Sequence, residues 1–343
     1  MKKKNLSNIA VLLLVVVLLA ACGGGDAPVE DVTGKKWGTA ELIETGTESA
    51  YDPQVVMDSG GNAIAVWRQS DGGVHSIWTN RYTVGTGWGT AELIETENST
   101  GASDPRLDMD SDGNAMAVWS QGSSIMANRY VAGTGWGTAE LIETGFERAR
   151  CPQVAMNSSG NAIAVWMQGD GSWDSIWANR YVAGTGWGTA ELIETSSTSL
   201  DYGAMLPQVA MDASGNALAV WSQYEGTNDS IWSNRYVAGT GWGTAELIET
   251  DNSGNAYRPQ LAMDSAGNAM AVWGVMWPVD GTVDSIWANR YSAGTGWDTA
   301  EPIETGSGDA GYPQVTVDSA GNAMAIWHQF DGVRSSIWAN RFE

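Results

Sequence analysis

Six near-copies of one phrase constrain this chain more than any other feature. Trp-Gly-Thr-Ala-Glu-Leu-Ile-Glu-Thr begins at Trp37, Trp88, Trp136, Trp187, Trp242 and Trp297, with small departures at Asp298 and Pro302. The copies run nearly end to end at a spacing of about 50 residues, a period at which one supersecondary unit buries its apolar surface only against its neighbours. In the first copy four short segments follow in order: Trp37–Thr45, Pro53–Asp58, Asn62–Gln69 and Ser76–Tyr82. Each is rich in Val, Ile, Trp, Tyr or Thr and bounded by Gly, Asp, Asn or Pro, which predicts strands. The Ala63-Ile64-Ala65-Val66-Trp67 run and its copies are apolar on both faces, so their sheet must be covered on both sides. The segment around Ala40-Glu41-Leu42-Ile43-Glu44 mixes charge with apolar residues, as an outer strand does.

Four antiparallel strands repeated six times predict an all-β, six-bladed β-propeller. The chain starts with an outer-type segment, Trp37–Thr45, and stops at Glu343 after a Ser-Ile-Trp-Ala-Asn-Arg segment that has none of its own. The expectation is that the N-terminal strand closes the last blade. Most tryptophans recur at three repeat positions, such as Trp37, Trp67 and Trp78, where large flat rings suit the space between blades. The repeated arginines Arg81, Arg129, Arg180, Arg235, Arg290 and Arg341 are expected to anchor strand to strand or blade to blade. The paired Glu of the outer strands read as a solvated wall that discourages edge pairing. Asp58-Ser59-Gly60-Gly61-Asn62 and its copies read as tight turns; the Asp108–Gly113 copy resembles the start of a calcium loop but has Trp119 at the twelfth position.

Length variation separates the two ends of the repeat. The step from repeat Tyr to the next Trp is always 6, and the step from Met57 to Trp67 is 10 in every copy, with Val317 replacing Met in the last. From the outer-strand Thr to the next Pro the steps are 8, 9, 8, 12, 9 and 8, and from the second repeated Trp to the third they are 11, 7, 11, 11, 14 and 11, taking Met126 as equivalent. In an up-and-down blade both variable connections emerge on one face, and diversified loops on a rigid scaffold are where binding resides. Candidate ligand-binding residues there are Trp173, Trp277, Tyr202, Tyr224, Tyr257, Arg258, Asp174 and Asp229. Aromatics beside carboxylates suit sugars or peptides. Arg148, Arg150, Cys151, Tyr312, Asp331 and Arg334 share the face.

The N-terminus is an address label. Met1-Lys2-Lys3-Lys4 is followed by an apolar run from Ile9 to Leu19 and by Leu19-Ala20-Ala21-Cys22. This pattern resembles the bacterial lipoprotein signal with its lipobox. The resemblance implies a signal peptide at residues 1–21, lipidation at Cys22, a flexible tether at 22–34 ahead of a propeller at 35–343, and, with Gly23 after the Cys, the outer membrane. As a coil the tether holds the domain roughly 20 Å from the membrane. Processing leaves 14 basic residues against 40 acidic ones, a balance that argues against a nucleic-acid partner, since phosphate neutralisation needs clustered Lys and Arg.

No Gly-x-Ser-x-Gly elbow is present, His75 and His328 are the only imidazoles, and no His/Cys cluster has metal-ligand spacing. The reading is therefore a monomeric, non-catalytic envelope module without cofactor or metal, binding a glycan through the variable face. A protein-docking scaffold is the alternative, and a sialidase-like glycoside hydrolase is third. The Pro207–Asp212 and Gly215–Trp221 runs resemble those of bacterial six-bladed propeller lipoproteins; the Asp turns are similar to the Asp-box of sialidase-like propellers, with Asp-to-Gly spacing longer by one. A looser similarity is to six-bladed fucose-binding lectins, whose repeats pair an Arg with Glu and Trp.

Overall fold

The computed structural model describes residues 36–343 except 71, 97–98, 170, 172, 195–202, 251–253 and 277–283. The signal segment, Cys22 and the tether lie outside the described residues, as do Tyr202 and Trp277. Six antiparallel sheets follow one another in chain order, as a propeller requires. The first consists of Ala50–Met57, Ala63–Ser70 and His75–Thr83, with two short outer pieces, Gly87–Trp88 and Glu92–Leu93, both paired with the third strand. Sheets two to five repeat this plan.

The doubly apolar second strand is the buried centre of each blade. Trp119, Trp166, Trp221 and Trp273 are fully buried there, and the first three donate their indole N–H to a Gln two residues on, as Trp166 does to Gln168 at 2.8 Å; in the fifth sheet Val275 stands where that Gln would be. Apolar clusters join consecutive sheets: Ile163, Val165 and Ile176 of the third pack with Ala217, Ala219 and Trp221 of the fourth. A cation–π contact repeats at each junction. Arg81 lies over Tyr130, Arg129 over Tyr181, Arg180 over Tyr236, Arg235 over Tyr291 and Arg290 over Phe342, at 5.4–6.0 Å from the ring centroids. Five of the six repeated arginines are thus blade-to-blade anchors, while Arg341 on the last strand pairs with Glu343. At the uniform end, Asp58 accepts from the Asn62 amide and side chain at 2.9 and 2.8 Å, and Asn62 in turn accepts from Val84 N–H at 3.1 Å, which locks this turn to the next.

Two expectations need correction. The first strand of each blade begins three residues before the proline, or four in the fifth sheet, because that proline sits in a bulge and not at the strand's start. Nor does the N-terminal segment close the sixth sheet. Residues 36–46 carry no strand, and the sixth sheet has three strands, Ala310–Val317, Ala323–Phe330 and Ser335–Phe342. Val55 and Met57 of the first sheet are each 65% exposed, and Ile337 of the last strand is 77% exposed. Ile43 and Glu44 attach to the first sheet: Asn80 Nδ2 donates to the Ile43 carbonyl at 2.7 Å and Gln69 Nε2 to Glu44 Oε2 at 3.0 Å. The physical reason is visible in the other copies. An outer piece makes only a two-residue ladder with its own sheet, while the following blade's asparagine holds its Ile carbonyl, as Asn128 holds Ile94 at 2.8 Å.

Asp108 occupies a position filled elsewhere by Val56, Ala155, Ala210, Ala262 and Thr316. Its carboxylate accepts from Met109 N–H at 2.9 Å and crosses to Met156 N–H of the next sheet at 2.7 Å. Burial outweighs those two bonds and raises its pKa from 3.8 to about 6. A folded-state pKa above the unfolded value means that the folded chain holds a proton which the unfolded chain releases, so stability falls as pH rises through the interval from about 4 to 6. Asp108→Ala should remove that dependence, so that its stability relative to the parent improves by roughly 3 kcal/mol between pH 3.5 and pH 7. Denaturant unfolding at the two pH values measures this; parallel changes in both proteins would show that Asp108 does not carry the effect.

Candidate functional site

The variable end is built on a bulge that recurs in all six sheets. Tyr51 lies opposite Arg68 but Gln54 lies opposite Val66, so one extra residue is inserted. The same slip occurs in the other five first strands. The inserted residue adopts a left-handed conformation each time: Asp52, Asp104, Cys151, Leu206, Arg258 and Tyr312 have φ of 53–55°. None is glycine and each precedes a proline, which biases its neighbour toward extended backbone. Such residues cost about 1–2 kcal/mol each. The proline itself lacks an N–H and loses no ladder bond at the bulge. Hairpin and entry loops meet above these bulges, through bonds such as Gly169 N–H to the Arg148 carbonyl at 3.3 Å and Phe330 N–H to the Asp309 carbonyl at 2.9 Å.

Between the fifth and sixth sheets the bulges bring four chemically active side chains together. Tyr257 pairs in register with Gly274, and Gly311 with His328. A Cβ on Gly274 would stand 2.7–3.0 Å from Tyr257 ring and hydroxyl atoms. A Cβ on Gly311 would meet His328 Nε2 at 3.1 Å and the Tyr257 hydroxyl at 3.2 Å. These two glycines replace side chains present in other copies, Arg68 or Met167 for the first and Tyr51 or Arg150 for the second, and so leave a cradle that the Tyr257 phenol and the His328 imidazole fill. The Tyr312 ring lies 5.2 Å from that of His328. Arg258 lies over the other partner, its guanidinium carbon 4.0 Å from the Tyr312 centroid, and among the described residues it has no ion pair with a carboxylate. Burial first, and then Asp284, push the Tyr257 hydroxyl up to about 12, so it is a proton donor throughout the neutral range. The buried Nδ1 of His328 makes no hydrogen bond among the described residues.

The other candidates lie elsewhere on the same end. Asp174 is ion-paired with Arg150, beside the half-exposed Trp173. Tyr224 donates its hydroxyl to the Gly226 carbonyl at 2.9 Å and braces its own hairpin. Asp229 is half-buried, with its pKa raised by desolvation, and its N–H is held by Asn255 Oδ1 at 3.1 Å. A second aromatic and cationic group stands on the first sheet, where Arg68 lies 5.3 Å from the Tyr51 centroid and bridges to Asp52 at 3.1 Å, with His75 edge-on to Tyr51. Asp110 spends its carboxylate on the Asp112 and Asn114 amides and the Asn114 side chain, as a turn does.

One distribution of charge distinguishes this end. The arginines outside the repeat pattern are Arg68, Arg106, Arg148, Arg150, Arg258 and Arg334. All lie in the first two strands beside the bulges or in the loops above them. In a chain of net charge -23, the arginines outside the repeat pattern are gathered where the loops vary. Tyr312 is among the residues that the sequence places on the variable face; His328, in the second strand of its sheet, is not. The signal for its meeting with Tyr257 is glycine at positions 274 and 311, where the other copies carry Arg, Met, His, Tyr or Ser.

No family model matches the chain, and no curated protein matches it. Solved structures do. Polysaccharide lyase Uly1 is 10% identical with a TM-score of 0.56, over 91% of this chain and 85% of that one. An ulvan lyase of a new polysaccharide lyase family, bound to -[GlcA(1-4)Rha3S]-, is 10% identical with a TM-score of 0.55, over 84% and 78%. A protein of unknown function from Dyadobacter fermentans is 14% identical with a TM-score of 0.52, over 88% and 96%. At these identities the likeness is one of fold. It nonetheless overturns the expectation that the chain is not an enzyme, because two of these three similar folds are lyases.

Proposed function

We propose that the chain is a carbohydrate-active propeller that cleaves an acidic polysaccharide by β-elimination at Tyr257, His328 and Arg258. The observation that carries this reading is the cradle at Gly274 and Gly311, filled by a phenol and an imidazole, with an arginine next to it that has no ion pair with a carboxylate among the described residues. Elimination from a 4-linked uronic acid needs those three groups. Arg258 pairs with the sugar carboxylate and makes the adjacent C5–H more acidic. His328 takes that proton through Nε2, the C4–O bond breaks, and Tyr257 protonates the departing oxygen, leaving a C4=C5 double bond. Proton and leaving group balance without water, oxidant or cofactor.

The similarity to polysaccharide lyases, one of them bound to a glucuronate-containing saccharide, supports the substrate class. So does the clustering of non-scaffold arginines in an otherwise acidic chain. A hydrolase of the two-carboxylate type would need a convergent pair; Asp174 is committed to Arg150. Anchored through Cys22 at the outer membrane, the activity would belong to the cell envelope. The purified chain, incubated with uronate-containing and neutral polysaccharides, should generate ultraviolet absorbance from the new conjugated double bond with the former alone. New reducing ends without that absorbance would replace elimination by hydrolysis.

A further inference from the structure

Two places in the repeat use positive φ, and they are filled in opposite ways. At the uniform end the turn residue is glycine in all six copies: Gly61, Gly113, Gly160, Gly215, Gly267 and Gly321. At the variable end the bulge residue is never glycine, although its φ hardly changes from copy to copy. Glycine would adopt this backbone without steric penalty. Side chains that keep a strained backbone in six successive repeats are held there for what they contact.

Their surroundings are constant and their chemistry is not. Each is followed by Pro, and five of the six prolines by Gln, with Arg106 the exception. The bulge residue itself changes from carboxylate at Asp52 and Asp104 to thiol at Cys151, hydrocarbon at Leu206, guanidinium at Arg258 and phenol at Tyr312. All six are exposed or partly exposed. First strands of consecutive sheets are neighbours, so these side chains stand in sequence order along the end that carries the cradle. Burial, and then Asp104, push the Cys151 thiol above its ordinary value, which keeps it uncharged at neutral pH.

We infer that the six left-handed positions are the specificity determinants for a linear acidic polysaccharide, each presenting one side chain to successive parts of the bound chain. Arg258 and Tyr312 hold the acidic unit. Leu206 and Cys151, the latter backed by the apolar cluster between the third and fourth sheets, offer an apolar floor to the C–H face of a neutral sugar, and Asp104 and Asp52, the latter oriented by its pair with Arg68, accept hydroxyls further along. This rests on the polysaccharide reading above, but not on elimination as the chemistry.

Leu206 and Asp104, which take no part in the proposed proton transfers, provide the test. Alanine at either position deletes the side chain and keeps the strain; glycine deletes both. On the polysaccharide that the parent chain cleaves, Leu206→Ala, Leu206→Gly, Asp104→Ala and Asp104→Gly should each raise KM about five-fold or more, well beyond any change in kcat. Only the glycine variants should also gain thermal stability, by about 1–3 °C in Tm. Glycine variants that are stabilised while KM stays at the parental value would overturn the inference and leave the bulge as architecture. If the parent retards on an acidic polysaccharide in affinity electrophoresis without cleaving it, elimination fails alone, and the same variants are scored by retardation. A parent retarded by no acidic polysaccharide would overturn both.

Discussion

Tyr257→Phe should lower kcat on an acidic polysaccharide by about 10²–10⁴-fold, the range spanned by positioned general acids and bases. The substitution keeps the ring in the space that Gly274 leaves for it and removes only the O–H, so folding and substrate affinity should be close to the parent's. His328→Ala should fall in the same range, and the double variant should be little worse than either single one, because acid and base act in one step. The Tyr257 hydroxyl, raised to about 12 by burial, stays protonated where an ordinary tyrosine would begin to ionise. A donor with a raised pKa loses its proton later as pH rises. The alkaline loss of activity caused by this group should therefore lie about two pH units above that of a solvent-exposed phenol, whose pKa is about 10. Gly274→Val supplies a geometric control: its side chain would collide with the Tyr257 ring, so activity should fall although no reacting group is changed. Half-parental activity in Tyr257→Phe would exclude the phenol as the proton donor.

Much of this architecture was legible because the repeat states each local rule several times over. One apolar Ala-x-Ala-Val-Trp run could be a helix segment or a strand, but six of them, each bounded by an Asp-Gly-Asn turn and a charged outer piece, admit only a four-stranded unit. Proline misled the reading of strand starts. It usually bounds a strand, whereas Pro53 and its equivalents sit just after a bulge residue whose left-handed backbone has no sequence mark when that residue is Asp, Leu or Arg. The chain ends misled in another way. Trp37–Thr45 matches the outer pieces in composition, yet those pieces hold the next blade through an asparagine as well as their own sheet, and Ile43 satisfies only the first of these bonds. Loop-length variation located the variable end without locating the cradle. Tyr257 and His328 come from different repeats, and what joins them is the missing side chains at Gly274 and Gly311. Trp173 and Tyr224 looked like contacts because they are aromatic; Tyr224 braces its own turn, and Trp173 stands on another sheet's hairpin.

The largest stability effect should come from Trp221→Ala, at about 3–5 kcal/mol. The indole is fully buried among Ile163, Val165, Ile176, Ile193 and Ala219, so it belongs to two blades at once. Its loss leaves a cavity at a junction and deprives the Gln223 Oε1 of its donor, now at 2.8 Å. Trp338→Ala should cost far less, under about 1 kcal/mol, because that ring lies on the last strand, is 38% exposed and has no following sheet against it. Trp177, the same repeat position in the third sheet, packs beside the inter-sheet cluster around Trp166 and should fall between the two. Denaturant unfolding of the three variants ranks them. The ranking tests more than burial, since a cost at Trp338 equal to that at Trp177 would mean that in solution a further layer covers the last strand. The outer piece at Trp37–Thr45 would then be the segment to delete next, because it is the one of the six copies that carries no strand.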